Sequence, residues 1–292
     1  MSACNVLLQP QRKAVHMMVD AAGYDTDGVI LTLSQKCFAL PTLPAAVSAT
    51  GVGIAGELLA REIGRQFDTF DELIHGLEDF GREFYDVYAE TISTFPLTDI
   101  NMTVIGWSVS RRGPEAYSMA MTEPDQDAYI KERTEKQKAE FGANAIIQNE
   151  PFKRVELDTC TINPPPFKPF DQIAFEIKPG AEGFELMDPE RDLLHILEAQ
   201  RRRKFATRPG WPEAHKVGGF ALLTSVTQDE VTQKIVHRWS EDRVGELISP
   251  VPIPDWAAWR QARRAPPPDN LSRLQRERWV KKQSKGKLQV VK

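Results

Sequence analysis

The chain has 292 residues, 41% of them apolar and 27% charged, with a net charge of −4: a globular composition long enough for one large domain or two small ones. It holds no apolar run of about eighteen residues, which excludes a membrane-spanning helix, and its start, MSACNVLLQPQRK, lacks the pattern of a secretory signal. Cys4, Cys37 and Cys160 are odd in number without CxxC spacing, and the histidines are scattered, so reduced thiols in a cytoplasmic protein without metal or cofactor are expected.

In chain order, Asn5–Leu8 reads as a strand with a turn at Gln9-Pro10, and Ala14–Val19 is an apolar run ending at Asp20. Gly23 to Gly28, with Asp25 and Asp27 between, is turn chemistry. Val29–Leu33 is β-rich and is followed by Lys36. Phe38–Leu40 and Ala45–Ala49 flank a turn with Pro41 and Pro44, after which Gly51 and Gly53 open an amphipathic helix over Ile54–Phe67. A second helix runs over Phe70–Thr91, started by Asp68-Thr69-Phe70-Asp71-Glu72 and striped by Leu73, Leu77, Phe80, Phe84 and Val87. Met102–Ser108 and Ala116–Met121 form a hairpin around Arg111-Arg112-Gly113-Pro114. Asp125–Phe141 has a helical look and leads to the proline-rich Pro164–Pro169. Asp188–Lys204 is a helix capped by Asp188, with Pro189 in its first turn and Arg201-Arg202-Arg203-Lys204 at its end. That basic cluster suits a solvated helix C-terminus, with nucleic-acid contact the sharper reading. Gly218-Gly219 opens a last hairpin, Phe220–Thr227 and Val231–Trp239.

Asp20, Lys36 and the Ala49-Thr50-Gly51-Val52-Gly53 turn, in this order and spacing, resemble the proteasome β-subunit family of N-terminal-nucleophile (Ntn) hydrolases. The resemblance is gapless from about Ala14 to Gly53 and looser to about Trp239. It implies an α/β fold of the α+β kind, a four-layer αββα sandwich over 1–248 with an insertion near 123–170. It also implies a site in which an acidic residue (Asp20) orients a lysine (Lys36), and a backbone N–H at Thr50 or Gly51 binds the oxyanion. Counting back from Asp20 places Cys4 at the nucleophile, whose own α-amine must serve as base; the plainer reading of Cys4 is a buried strand residue. Removing Met1 would expose Ser2 instead, two residues early. Other family signatures are weaker. Lys178-Pro179-Gly180-Ala181-Glu182-Gly183 stands near the place of a Gly-Ser-Gly turn. Glu213-Ala214-His215-Lys216-Val217-Gly218-Gly219 stands for Asp-x-x-Ser-Gly-Gly, with valine where serine is expected.

From residue 249 the chain is proline-rich and then basic, with a local charge of +9 over 260–292 against −13 for the rest. Trp256, Trp259, Arg260, Arg263, Arg264, Arg273, Arg276, Arg278, Lys281 and Lys282 make this arm a candidate partner-binding segment, with Asn270–Lys282 a short basic helix. Homo-oligomers or other protein subunits are the expected partners, and nucleic acid ranks last because the body is acidic. The expectation is therefore a proteasome-like protein that has lost peptidase activity and serves assembly, for example in a bacterial or phage particle formed in the cytoplasm. The alternative is an active Ntn peptidase or amidohydrolase using Cys4 after N-terminal processing.

Overall fold

The computed structural model describes residues 2–122, 150–157, 159–164, 181–206, 211–256, 258 and 259. Its larger sheets each have five strands. One takes the order β10-β1-β2-β13-β14, from Cys160–Asn163, Cys4–Gln9, Ala14–Val19, Phe220–Val226 and Val231–Arg238. The other takes the order β5-β6-β7-β8-β9, from Cys37–Ala39, Ala45–Gly51, Ile100–Ser108, Gly113–Met121 and Val155–Glu156. All pairings within them are antiparallel. Two short ribbons, β3 (Ala22–Tyr24) with β4 (Ile30–Leu33) and β11 (Lys204–Phe205) with β12 (Ala214–His215), lie outside the sheets. The helices are α1 (Ala55–Gln66), α2 (Phe70–Val87), α3 (Ala89–Ser93), α4 (Ala181–Glu185) and α5 (Pro189–Arg201).

Strand alternation decides where each apolar side chain goes. On β1 and β2, Val6, Val15 and Met17 join Ala46, Ile105 and Trp107 in a cluster drawn from both sheets. Their neighbours Leu7 and Met18 pack instead with Leu193, Leu197 and Trp239, under α5. On β7, Met102 and Val104 turn the other way, onto Leu59, Ile63, Leu73, Leu77, Phe80 and Phe84 of α1 and α2. Each sheet thus has apolar side chains on both faces, and β6 is buried along all but its last residue.

Helix α2 starts as its sequence predicts. Thr69 Oγ1 accepts from the Glu72 N–H, and the Glu72 carboxylate accepts from the Thr69 N–H. It ends earlier than expected, at Val87, which is exposed, and α3 follows after Tyr88.

In the described end of the stretch 123–170, Val155–Glu156 pairs with β8 and Cys160–Asn163 with β1, an edge strand for each sheet. Residues 123–149 and 165–180, including Asp125–Phe141 and most of the proline-rich run, lie outside the described residues. Two expectations need correction. The helix expected over Asp188–Lys204 stops at Arg201, and Lys204 begins β11. Its basic end is solvated only in part: Arg203 is half-buried and Lys204 exposed, but the first two cations are engaged within the chain. Arg201 is fully buried against Asp242, and Arg202 pairs with Glu198.

Finally, the arm does not leave the body at 249. Arg202 donates to the Val251 carbonyl at 2.7 Å and lies over the Trp256 ring. The Trp256 and Trp259 rings lie 5.0 and 5.6 Å from that of His195 on α5. Both tryptophans are thus engaged within the chain.

Two stability measurements follow. Leu77→Ala, which empties a fully buried site between α2 and its sheet, is expected to cost about 3 kcal/mol in denaturant unfolding; Thr69→Ala, which deletes an exposed cap, about 1 kcal/mol. The second measurement concerns His16, bonded to Ser225 Oγ at 2.8 Å. Burial, helped by the Arg12 charge and opposed by Asp188, pushes its pKa down from 6.5 to about 4. Between those values the unfolded chain binds the extra proton, so stability is expected to fall as pH drops through this window. His16→Gln should flatten that part of the pH–stability curve.

Candidate active site

Between β2 and β3 lies Asp20, fully buried. A carboxylate in such a place needs donors for its lone pairs. Its Oδ1 accepts the Ala3 N–H at 2.9 Å, and its Oδ2 accepts the Ala22 and Gly218 N–H groups, each at 3.2 Å. Lys36, in the segment between β4 and β5, reaches both oxygens with Nζ at 3.0 Å.

The ammonium has two further partners. Lys36 Nζ donates to the Ala22 carbonyl at 2.6 Å and to Ser2 Oγ at 2.7 Å. Its side chain is 11% exposed beside a wholly buried carboxylate. Burial lowers the lysine pKa from its usual value, and the Asp20 charge opposes that shift. Ser2 therefore faces a cation that is held in place and surrounded by acceptors, the setting in which a hydroxyl gives up its proton more readily.

Cys4, the residue expected at the nucleophile, is elsewhere. It begins β1 opposite Val19 and packs in the cluster between the sheets. Burial pushes its thiol up to about 11, which suppresses thiolate at neutral pH. The β1–β2 connection is a 3-10 turn over Pro10–Arg12 closed by Lys13 in the left-handed region, and it is Ser2, two residues before Cys4, that meets Lys36.

Thr50 and Gly51 end β6, at the edge of the sheet where Lys36 enters β5: the pairing Cys37↔Ser48 sets them at the same end. Gly51 has φ +107°, and a Cβ there would collide with the Asp99 carbonyl. The position is restricted to glycine, and the chain turns there into α1.

Gly218 and Gly219, the residues that survive of the expected serine-glycine-glycine motif, are in contact with the site through the Gly218 N–H. Gly219 has φ +80°, and a Cβ on it would lie 2.8 Å from Leu33 and 3.2 Å from Ala21. Val217 brings no hydroxyl; it is buried under α5. The contribution of Arg201 and Asp242 to this turn had no signal in the sequence, since the two are far apart along the chain and Arg201 reads there as a helix-end cation.

Of the arm residues, Trp256 and Trp259 are packed on the body as described above. Arg260, Arg263, Arg264, Arg273, Arg276, Arg278, Lys281 and Lys282 lie outside the described residues, as does the start of the Lys178–Gly183 segment. Among the described residues no group of three or more His, Cys, Asp and Glu side chains could hold a metal ion, and no helix is long and apolar enough to cross a membrane. Compared with known proteins, the chain matches no family model and no curated protein.

The ion pair sets an order of stabilities that can be measured. Asp20→Ala leaves Lys36 as an orphaned buried cation and is expected to cost about 3–5 kcal/mol in chemical denaturation. Lys36→Met should cost less, because Asp20 keeps its three backbone donors.

Proposed function

We propose that this chain is an Ntn-type amidohydrolase with the αββα sandwich of that class, in which Ser2, once Met1 is removed, is the N-terminal nucleophile. The contact between Lys36 Nζ and Ser2 Oγ, 2.7 Å long and anchored on buried Asp20, carries this reading. It replaces Cys4 by Ser2 in the expected scheme and keeps Asp20 and Lys36 in their roles.

The chemistry is acyl transfer. The Ser2 hydroxyl gives its proton to the free Ser2 α-amine, and Oγ attacks an amide or ester carbonyl, forming a tetrahedral oxyanion. The Lys36 ammonium stabilises the oxygen as it loses its proton. Backbone N–H groups at the Thr50–Gly51 turn are the donors assigned to the oxyanion. Collapse expels the leaving group, which takes the proton from the amine, and leaves an ester on Ser2. Water, deprotonated by the same amine, then releases the acid. While Met1 remains, the Ser2 nitrogen is an amide and offers no base.

A second reading, a scaffold with this fold that performs no hydrolysis, is supported by one observation: Val217 stands where the family resemblance expects a serine near the amine. The two readings separate by intact mass and N-terminal sequence, followed by exposure to a peptide β-lactone, whose ring opens as its acyl group bonds to a nucleophilic oxygen. The expected result is a chain beginning at Ser2 that gains one acyl mass on Ser2, with loss of the adduct in Ser2→Ala and in Lys36→Met, and retention in Cys4→Ala. An unprocessed Met1, or a Ser2 that stays unmodified, favours the scaffold.

A further inference from the structure

The turn that gives its Gly218 N–H to Asp20 is held from its other side by a second buried ion pair. Arg201, at the end of α5, is fully buried and donates through Nη1 to the Val217 carbonyl at 2.9 Å. The same guanidinium reaches Asp242 at 2.8 and 2.6 Å, and Nη2 reaches the partly exposed Glu241 at 3.1 Å. Asp242 Oδ2 in turn accepts the Gly219 N–H at 2.6 Å. Three consecutive residues are thus tied to buried charges: the Val217 carbonyl to Arg201, the Gly218 N–H to Asp20 and the Gly219 N–H to Asp242.

We propose that Arg201 and Asp242 are positioning residues for the Ser2–Lys36–Asp20 site, acting through the Val217–Gly219 turn. This rests on the hydrolase reading given above. The pair compensates for the absent serine at Val217 by a different route: instead of a hydroxyl within the turn, a charged pair outside it fixes the turn's backbone.

The geometry leaves the turn little freedom. A Cβ on Gly218 would lie 2.5 Å from Asp242 Oδ2 and 2.8 Å from Arg201 Nη1, so the pair packs directly on that α-carbon. The Trp239 ring lies 4.8 Å from the guanidinium carbon and closes another side. Moving the turn withdraws a donor from Asp20 Oδ2, the oxygen that also takes a hydrogen bond from Lys36. Asp20 then reorients, and the Lys36 ammonium shifts relative to Ser2 Oγ.

The test uses the full-length chain and two readouts. One is the titration midpoint of Lys36, followed through its ¹³Cε NMR shift, which requires no turnover. The other is the pH profile of Ser2 acylation by the β-lactone. Asp242→Asn and Gly218→Ala are expected to lower the Lys36 midpoint, because the Asp20 charge is less well aligned with it, and to slow acylation about ten- to a hundred-fold. Arg201→Lys, which keeps one charged donor, should lose less than Arg201→Met. Should a single variant fail to fold, Arg201→Met combined with Asp242→Leu removes both charges together and orphans neither, while still freeing the turn. Folded variants with an unchanged Lys36 midpoint overturn the proposal, whatever their stability. An unreactive Ser2 in the parent protein defeats the hydrolase reading, and the Lys36 midpoint still decides whether the pair positions the site.

Discussion

A single buried carboxylate sets the terms for one end of this molecule. Asp20 is wholly removed from water, and an ionised group in that position is tolerated only with its oxygens fully engaged. Its donors come from four places: the residue before β1, the residue starting β3, the segment ahead of β5 and the turn ahead of β13. Those segments belong to both large sheets and to the ribbon between them. Satisfying Asp20 therefore fixes how the ends of the two sheets meet, and it brings Ser2 to Lys36 as a consequence.

Away from that end, the fold is governed by apolar alternation, and there the sequence is informative. The apolar stripe of α2 and the Thr69–Glu72 capping box lie within a few residues of each other, and both hairpins are marked by local turn residues. The misreadings share a cause. Arg201 looks like a helix-end cation until Asp242, 41 positions later, is folded against it. Trp256 and Trp259 look like an exposed interaction motif until α5 offers His195 and Arg202 as a surface to stack on. Val155–Glu156 and Cys160–Asn163 are too short to signal a strand and exist because sheet edges are there to pair with. In each case the deciding partner is remote in the chain.

The site was legible to the same degree. Asp20 and Lys36 are marked by the spacing of the family resemblance, and the fold places them 3.0 Å apart. Counting back from Asp20 along the family resemblance lands on Cys4, whereas the hydroxyl that meets Lys36 belongs to Ser2, two residues earlier. The shift of two residues preserves strand alternation, so Cys4 stays on the inward face of β1 and keeps a place in the core whichever residue serves the site.

Two buried ion pairs flanking one glycine turn are an expensive way to hold a loop. Desolvating a guanidinium, an ammonium and two carboxylates consumes much of what their attraction returns, and apolar side chains of similar volume often stabilise a fold as well or better. What apolar packing cannot do is fix the direction of hydrogen bonds. The Gly218 and Gly219 N–H groups, on adjacent residues, donate to different carboxylates. The arrangement exchanges stability for angular definition, and that definition is delivered to Asp20, from Asp20 to Lys36, and from Lys36 to the one hydroxyl at the head of the chain. The same bonds also hold the ends of the two sheets together, so the orientation of Ser2 and the junction of the sheets depend on one set of donors.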